Sequence, residues 1–91
     1  MKYSFKSSFT HLFTKLDRLK QIQVVEALEA LKTVFESGVK PEGLGLKRLR
    51  KNIWEIRSSL KDRVLFAYEK DEITFILVGN HNDIVRYLKN L

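Results

Sequence analysis

The chain has 91 residues, of which 44% are apolar and 11% aromatic, a composition that suits one small globular domain over residues 1–91 and argues against disorder. It has no cysteine and two histidines, which excludes disulfide bonds and argues against a structural zinc site. The net charge of +6, with a pI near 9.7, favours a polyanionic partner such as nucleic acid, the ribosome or an acidic protein segment, although many small basic domains owe their charge to solubility alone.

The N-terminal half of the chain predicts a strand followed by two helices. The aromatic segment KYSF (2–5) suits an edge strand. Residues 7–20 then carry apolar side chains at helical spacing, with Ser7 or Ser8 available as the N-cap. A second amphipathic helix is predicted over 21–37, and Gly38 follows it as a C-terminal stop. The apolar side chains of the first predicted helix are Phe9, Leu12, Phe13, Leu16 and Leu19.

The C-terminal half predicts a meander of strands. The loop GVKPEGLG (38–45) holds three of the four glycines and the only proline. Strand-like segments follow at 52–58, 63–69 and 72–79, separated by short polar turns, and LKRLR (46–50) is a candidate further strand. The segment ITFILV (73–78) does not alternate, which suits a strand covered on both faces. With a closing helix over 83–91, the order βααββββα indicates an α+β fold with helices packed on a curved, mainly antiparallel sheet.

No stretch of the sequence indicates membrane insertion or export. The apolar run at 73–79 is far shorter than the ~20 residues that a membrane-spanning helix needs. Residues 1–20 lack the continuous apolar segment of a signal peptide. We therefore expect a soluble cytoplasmic protein.

A basic segment at 46–51 is the first candidate binding site. Lys47, Arg48, Arg50 and Lys51 could form a cradle for phosphate groups, or a solvated edge that prevents strand aggregation. In a regular strand Lys47 shares a face with Leu49, and Arg48 shares the other face with Arg50.

Two arginines flank a predicted turn between strands. Arg57 shares a strand face with Glu55, and Arg63 shares a face with Leu65 and Ala67, small or apolar neighbours that are unusual on a purely solvated surface. If the register aligns them, the two guanidinium groups would offer planar donor pairs to the oxygens of a phosphate. The alternative is an ordinary surface ion pair between Arg57 and Glu55 or Asp62.

A histidine follows the apolar strand at the sequence GNH. An imidazole in its ordinary range titrates near pH ~6.5 and can therefore exchange a proton at cellular pH. We expect Gly79 to end the strand so that His81 projects at the rim of a cleft; the alternative is a plain helix start capped by Asn80, Asn82 or Asp83. Tyr87, on the closing helix, is near enough to reach the same surface.

The sequence offers little support for other chemistry. Its glycine-rich loop lacks the lysine and hydroxyl residue of a phosphate-binding P-loop, and it shows no cluster of carboxylates for a metal. We expect neither a cofactor nor a metal.

The chain as a whole resembles the RelE/ParE superfamily of bacterial toxin–antitoxin toxins. The specific part is LKRLRKNIWEIRSSLKDRVLFAYEKDEITFILVGNHNDIVRYL (46–88), in which WEIR is similar to the RelE-like branch related to phage and HigB-type toxins. The resemblance implies the RelE-like βααββββα fold. It further implies a messenger-RNA endonuclease acting without metal in the ribosomal A site, through attack of a ribose 2′-hydroxyl on the adjacent phosphate.

The same resemblance implies roles for individual residues. Arg57 and Arg63 match basic positions of the catalytic cleft, His81 stands where members carry arginine or histidine, and Tyr87 matches a tyrosine of the closing helix. Lys47 and Arg48 fall near the basic strand that precedes them. Glu55 departs from the pattern, because certain relatives have lysine there. The catalytic set is thus Arg57, Arg63, His81 and Tyr87, with Lys47, Arg48, Arg50 and Lys51 as RNA contacts.

The resemblance does not decide between three functions, and it predicts an antitoxin as a partner. A ParE-like toxin that poisons DNA gyrase has the same fold and charge and needs no histidine at the cleft, and an inactive basic binding module is the third possibility. A toxin of either kind implies a cognate antitoxin whose acidic or amphipathic segment covers the cleft.

Overall fold

The elements of the protein follow the predicted order in the computed structural model, which describes residues 1–91. No helix has the length and apolar character that crossing a bilayer requires. The α+β prediction is confirmed. The elements are β1 (Lys2–Phe5), α1 (Ser7–Lys15), α2 (Arg18–Ser37), β2 (Lys47–Arg50), β3 (Ile53–Arg57), β4 (Asp62–Glu69), β5 (Glu72–Asn80) and α3 (His81–Lys89).

The break between the two N-terminal helices lies earlier than predicted. Helix α1 ends at Lys15, and Leu16 is already extended, with ψ of 149°. Asp17 then caps α2, since its carboxylate accepts a hydrogen bond of 2.9 Å from the amide of Lys20. An aspartate stabilises a helix more as its N-cap than in its interior, so the chain restarts the helix here instead of continuing it to residue 20. At the other end, Gly38 terminates α2 in the left-handed conformation, as predicted.

The predicted serine cap of α1 is wrong. Lys6 is the N-cap residue, and no side chain caps this helix. The Ser8 hydroxyl instead donates to the carbonyl oxygen of Ile76, which ties the start of α1 to the middle of β5. A tertiary hydrogen bond, donated by the hydroxyl, takes the place of the predicted local cap, in which the hydroxyl oxygen would accept from a backbone amide.

The five strands form one mixed sheet in the order β1-β5-β4-β3-β2. Strand β1 pairs in parallel with β5, and all other pairs are antiparallel. A tight turn can join only antiparallel strands, and β1 and β5 are free to pair in parallel because both helices and the strands β2, β3 and β4 lie between them in the chain. Strands β1 and β2 therefore lie at the two edges.

One face of the sheet packs against α1 and α2 and holds the larger core. Phe75 of β5 lies at its centre, with ring centroids 5.1 Å from Phe5, 5.9 Å from Phe9 and 6.1 Å from Phe66. Burial of such rings supplies most of the driving force for packing the helices onto the sheet. The buried members are Phe9, Val24, Ala27, Leu31, Leu44, Ile56, Val64, Phe66, Ile73, Phe75 and Val78.

The opposite face is covered by α3 over a smaller cluster made of Leu65, Ile76, Leu77 and Ile84. A β-bulge explains why the sequence of β5 does not alternate: Phe66 pairs with Phe75 and Leu65 with Leu77, which leaves Ile76 as an extra residue. The prediction of a strand buried on both faces is confirmed. The part of this second face that α3 leaves open carries the candidate site.

Candidate functional site

Arg57 and Arg63 face each other directly across the β3–β4 ladder. The next strand places Gly79 opposite Arg63, so the row carries two guanidinium groups and then a residue without a side chain. Like charges at directly opposed positions of a sheet are destabilising. The predicted alignment of the two arginines is present, and its electrostatics favour an anion between them.

A cavity of about 460 Å³ lies over this row, between α3 and the strands β2, β3 and β4. It brings together Arg57, Arg63 and His81, three residues that are distant along the chain. The lining is mixed, with five aliphatic residues among its eleven members. The full lining is Gly45, Leu46, Lys47, Leu49, Glu55, Arg57, Arg63, His81, Ile84, Val85 and Leu88.

Arg63 is a partly buried cation with incomplete hydrogen bonding. Only 18% of its side chain is exposed. The nearest carboxylate oxygen, Glu55 Oε2, lies 3.9 Å from Arg63 Nε, which is beyond hydrogen-bonding distance. Its Nε and Nη1 atoms are both buried and neither has a hydrogen-bond partner. Buried charged donors are normally satisfied, because leaving one unpaired costs about 1–3 kcal/mol or more. A phosphate oxygen in the cavity would complete the bonding of this guanidinium.

Arg57 is exposed and is held in place by the loop that precedes β2. Its amide donates a 2.7 Å hydrogen bond to the carbonyl oxygen of Leu44. Its side chain runs across Gly45, where an added Cβ would lie 2.8 Å from Arg57 Cγ. Gly45 also has φ of +65°, a conformation that side-chain-bearing residues rarely adopt. This glycine therefore gives the arginine its path into the cavity.

His81 is the first residue of α3 and lies exposed at the edge of the cavity. Residues 81, 84, 85 and 88 all line the cavity and follow the i, i+3, i+4, i+7 spacing of one helix face. The imidazole thus lies at the N-terminal end of the stripe that α3 turns toward the sheet.

Gly79 does not end strand β5, contrary to the prediction. Strand β5 continues through Gly79 and ends at Asn80. Asn80 caps α3, and the Asp83 carboxylate accepts a hydrogen bond from the Asn80 amide in return, forming a capping box. A Cβ at Gly79 would lie 2.6 Å from Asp83 Oδ2. The glycine is needed for the close approach of the capping carboxylate, which in turn sets where α3 and His81 begin.

The basic segment contributes one residue to the cavity. Lys47 lines it, whereas Arg48, Arg50 and Lys51 do not, although all three are exposed. The expectation that Arg48 and Arg50 share a face is wrong. A register shift at Leu49 places Arg48 opposite Trp54, on the helix-covered face, and Arg50 opposite Ile53. Arg48 Nε donates to the Lys51 carbonyl oxygen at 2.7 Å and so braces the following turn.

Tyr87 lies outside the cavity lining. Its ring packs, half-buried, against the small cluster around Leu65 and Ile84. At about 100° per residue, position 87 lies roughly 110° away from the middle of the stripe that carries His81. The structure therefore brings together Arg57, Arg63, His81 and Lys47, and leaves Tyr87 in the packing of α3; its catalytic role stays a prediction.

Two features of the cavity were not predicted as part of a site. Glu55 projects into it beside Arg63, and α3 supplies an aliphatic wall. The alternation of β3 could have indicated Glu55, since it shares a face with Arg57. The wall follows from the helical spacing of Ile84, Val85 and Leu88, once the orientation of α3 is known. No three His, Asp or Glu side chains come together in a group that could hold a metal ion.

Comparison with known proteins identifies the fold. No protein-family model and no curated protein sequence matches the chain. Among solved structures, a chain of the RelB–RelE antitoxin–toxin complex from Methanococcus jannaschii matches with a TM-score of 0.67 and 16% identity, over 92% of this chain and 96% of that one. The YoeB/ParE toxin from Agrobacterium tumefaciens matches with a TM-score of 0.67 and 12% identity, over 89% and 99%.

A third match is a chain of the DinJ–YafQ complex from E. coli, with a TM-score of 0.65 and 13% identity, over 91% of this chain and 96% of that one. These similarities extend over nearly the whole of each chain. The RelE-like fold implied by the sequence resemblance is therefore confirmed: the chain has the fold of the RelE/ParE superfamily toxins.

Proposed function

We propose that this chain, with its RelE/ParE toxin fold, is the toxin of a type II toxin–antitoxin system and cleaves messenger RNA, with ribosome-bound message as its substrate. The observation that carries the proposal is the incompletely bonded Arg63 guanidinium, opposite Arg57, in a cavity that His81 borders. An anionic group with several acceptor oxygens fits this arrangement, and the RNA backbone supplies one at every nucleotide.

The proposed chemistry is transfer of the phosphodiester to the neighbouring ribose oxygen. The 2′-oxygen bonds to phosphorus and loses its proton to a base, while the bond from phosphorus to the 5′-oxygen breaks and that oxygen takes up a proton. The products are a 2′,3′-cyclic phosphate and a free 5′-hydroxyl. Because the reaction needs the 2′-hydroxyl, RNA and not DNA is the substrate.

The side chains in the cavity match the demands of that reaction. Arg57 and Arg63 donate to the non-bridging oxygens, where negative charge grows in the transition state, and Lys47 adds positive potential. Arg63 is held in a buried site, so it needs little reorganisation as the charge develops. His81, at the edge, transfers a proton as general acid or base.

The decisive experiment is induced expression followed by mapping of the 5′ ends of cellular messages. We expect new 5′ ends with the wild type, and a loss of cleavage of about 100-fold or more with Arg63→Ala or His81→Ala. His11→Ala is the matched control, because His11 is exposed on α1 and far along the chain from the cavity residues. Tyr87→Phe tests the catalytic role predicted for Tyr87, whose ring packs without lining the cavity: a loss of cleavage would support that role, and unchanged cleavage would contradict it.

Three outcomes would contradict the proposal. Intact messages with blocked replication, and toxicity that survives His81→Ala, would identify a ParE-like gyrase poison. Intact messages without toxicity would indicate an inactive binding module. Cleavage by the purified chain of free RNA and ribosome-bound RNA at equal rates would contradict ribosome-bound message as the substrate.

We also propose that a cognate antitoxin binds this chain. A positively charged cavity and an apolar stripe on α2, where Leu19, Ile22 and Val25 are 65%, 46% and 47% exposed, together suit a partner with acidic and apolar residues. Co-expression with the neighbouring small reading frame should yield a stable complex that suppresses message cleavage. Failure of the two products to co-purify would count against this partner.

A further inference from the structure

The cavity is built differently on the side away from the Arg57–Arg63 row. Its lining there is aliphatic and comes from two elements: Leu49 on β2, and Ile84, Val85 and Leu88 on α3, of which Leu49 and Leu88 both pack against the small cluster around Leu65 and Ile84. An aliphatic lining disfavours water and suits the faces of a flat ring better than it suits a phosphate or a ribose.

Glu55 lies between this aliphatic lining and the Arg57–Arg63 row, two residues from Arg57 on the same face of β3. Only 12% of its side chain is exposed, and its contact with Arg63 Nε, at 3.9 Å from Glu55 Oε2, is too long for a hydrogen bond. Its closest cation, Arg63, lies 3.9 Å away, and Lys47 stands opposite it on the neighbouring strand. Because this ion pair is loose, the oxygens of this mostly buried carboxylate can accept hydrogen bonds from a ligand in the cavity.

We propose, resting on the function proposed above, that this half of the cavity binds a nucleobase and that Glu55 selects guanine. Guanine presents two adjacent N–H donors on its Watson–Crick edge, which the two oxygens of one carboxylate can accept side by side. Adenine and cytosine offer a single amino group to such an acceptor. Uracil flanks its one N–H with two carbonyl oxygens, which a carboxylate repels.

The spacing along β3 agrees with a single nucleotide occupying both halves. Glu55 and Arg57 lie two residues apart on the same face, a distance of about 6.6 Å along a strand. A nucleotide spans such a distance between its base and its 3′-phosphate. The guanine bound at Glu55 is therefore the base of the nucleotide whose 3′-phosphate lies between the two arginines, which is the nucleotide that supplies the 2′-hydroxyl.

The experiment measures binding, not cleavage, and uses the four 3′-nucleoside monophosphates as probes. We expect the wild type to bind 3′-GMP at least roughly tenfold more tightly than 3′-UMP. Glu55→Gln should reduce this ratio to about twofold or less, because the amide replaces one acceptor with a donor. Glu42→Gln, which removes the same charge from an exposed position outside the cavity, should leave the ratio unchanged. Thermal unfolding of both variants verifies that they fold.

Each other result overturns the inference. Equal affinities for the four nucleotides, no binding of any of them, or a preference for guanine that persists in Glu55→Gln would all exclude Glu55 as the selecting group. If Glu55→Gln abolishes cleavage at every site while the wild-type preference in binding persists, Glu55 instead takes the proton of the 2′-hydroxyl.

The binding measurement also separates this inference from the proposed function. A wild type that prefers 3′-GMP but leaves cellular messages intact has the base site without the nuclease activity. A wild type that cuts messages with no enrichment of guanine immediately 5′ to the cut has the nuclease activity without the base site.

Discussion

At the scale of single residues, the site concentrates groups that the fold alone does not favour. Two arginines at directly opposed positions repel each other, and the buried N–H groups of Arg63 have no partner. Glu55 beside them is a mostly buried carboxylate whose contact with Arg63, at 3.9 Å, is too long for a hydrogen bond. Each of these is destabilising by itself, and together they form a surface that is complementary to a ligand carrying both an anionic group and hydrogen-bond donors.

Gly79 offers a residue-scale test of how the site is positioned. Gly79→Ala should lower the free energy of unfolding by about 1–2 kcal/mol, because the new methyl group meets the Asp83 carboxylate and disrupts the cap of α3. Urea unfolding of the purified chain measures this. In an Asp83→Ala background the same substitution should have a clearly smaller effect. An equal effect in both backgrounds would mean that crowding at Asp83 is not the cause.

At the scale of elements, the orientation of α3 decides which of its residues belong to the site. The stripe formed by residues 81, 84, 85 and 88 faces the cavity, so His81 reaches it although it is exposed. Tyr87 lies off that stripe and packs instead. The capping box at Asn80 and Asp83 sets the first turn of α3, and through it the position of the imidazole. A short helix thus supplies both the aliphatic lining and the histidine for which we propose a role in proton transfer.

The two N-terminal helices provide an element-scale prediction. Asp17→Ala should lower the free energy of unfolding by about 1 kcal/mol, because it removes the side-chain cap of α2. Ser7→Ala is the control and should change stability by less than about 0.5 kcal/mol, since no side chain caps α1. Chemical denaturation of both variants measures the difference. Equal losses would show that the break at Leu16 and Asp17 does not depend on this cap.

At the scale of the whole molecule, the surplus of positive charge has both a general and a local part. The net charge of +6 attracts any polyanion, whereas the cavity concentrates Lys47, Arg57 and Arg63 at one place. Arg48, Arg50 and Lys51 lie exposed on the edge strand and the adjoining turn, where they can contact RNA outside the cavity or keep the edge from pairing with other chains. These two parts respond differently to salt when one charge is removed.

The salt dependence of RNA binding is the prediction at this scale. The logarithm of the affinity for an uncleavable 2′-O-methyl RNA should fall linearly with the logarithm of salt concentration, by about 0.7 for each phosphate contact. Arg63→Ala should reduce the slope by about one contact. Lys15→Ala, which removes an exposed charge from α1, should leave the slope unchanged. Similar changes in both variants would mean that binding is diffuse and does not centre on the cavity.

Much of the fold could be predicted from local patterns, and part of the site with it. The order of elements, the α+β class and the double coverage of β5 all follow from hydrophobic periodicity. The pairing of Arg57 with Arg63 required only the assumption of a short hairpin, which the register confirms. The serine cap of α1 and the common face of Arg48 and Arg50 could not be predicted correctly, because a tertiary hydrogen bond and a bulge override the local pattern.

Apart from the positions that the bulges shift, such as Arg50 and Ile76, the sequence by itself determined which residues face the helix-covered core and which face the other side of the sheet, because strand alternation and helical periodicity are properties of the local backbone. Only the tertiary structure decided that Arg57, Arg63, His81 and Glu55 meet in one cavity. That meeting depends on the strand register, on the two bulges and on the rotation of α3 over the sheet, which long-range packing determines and no short segment encodes.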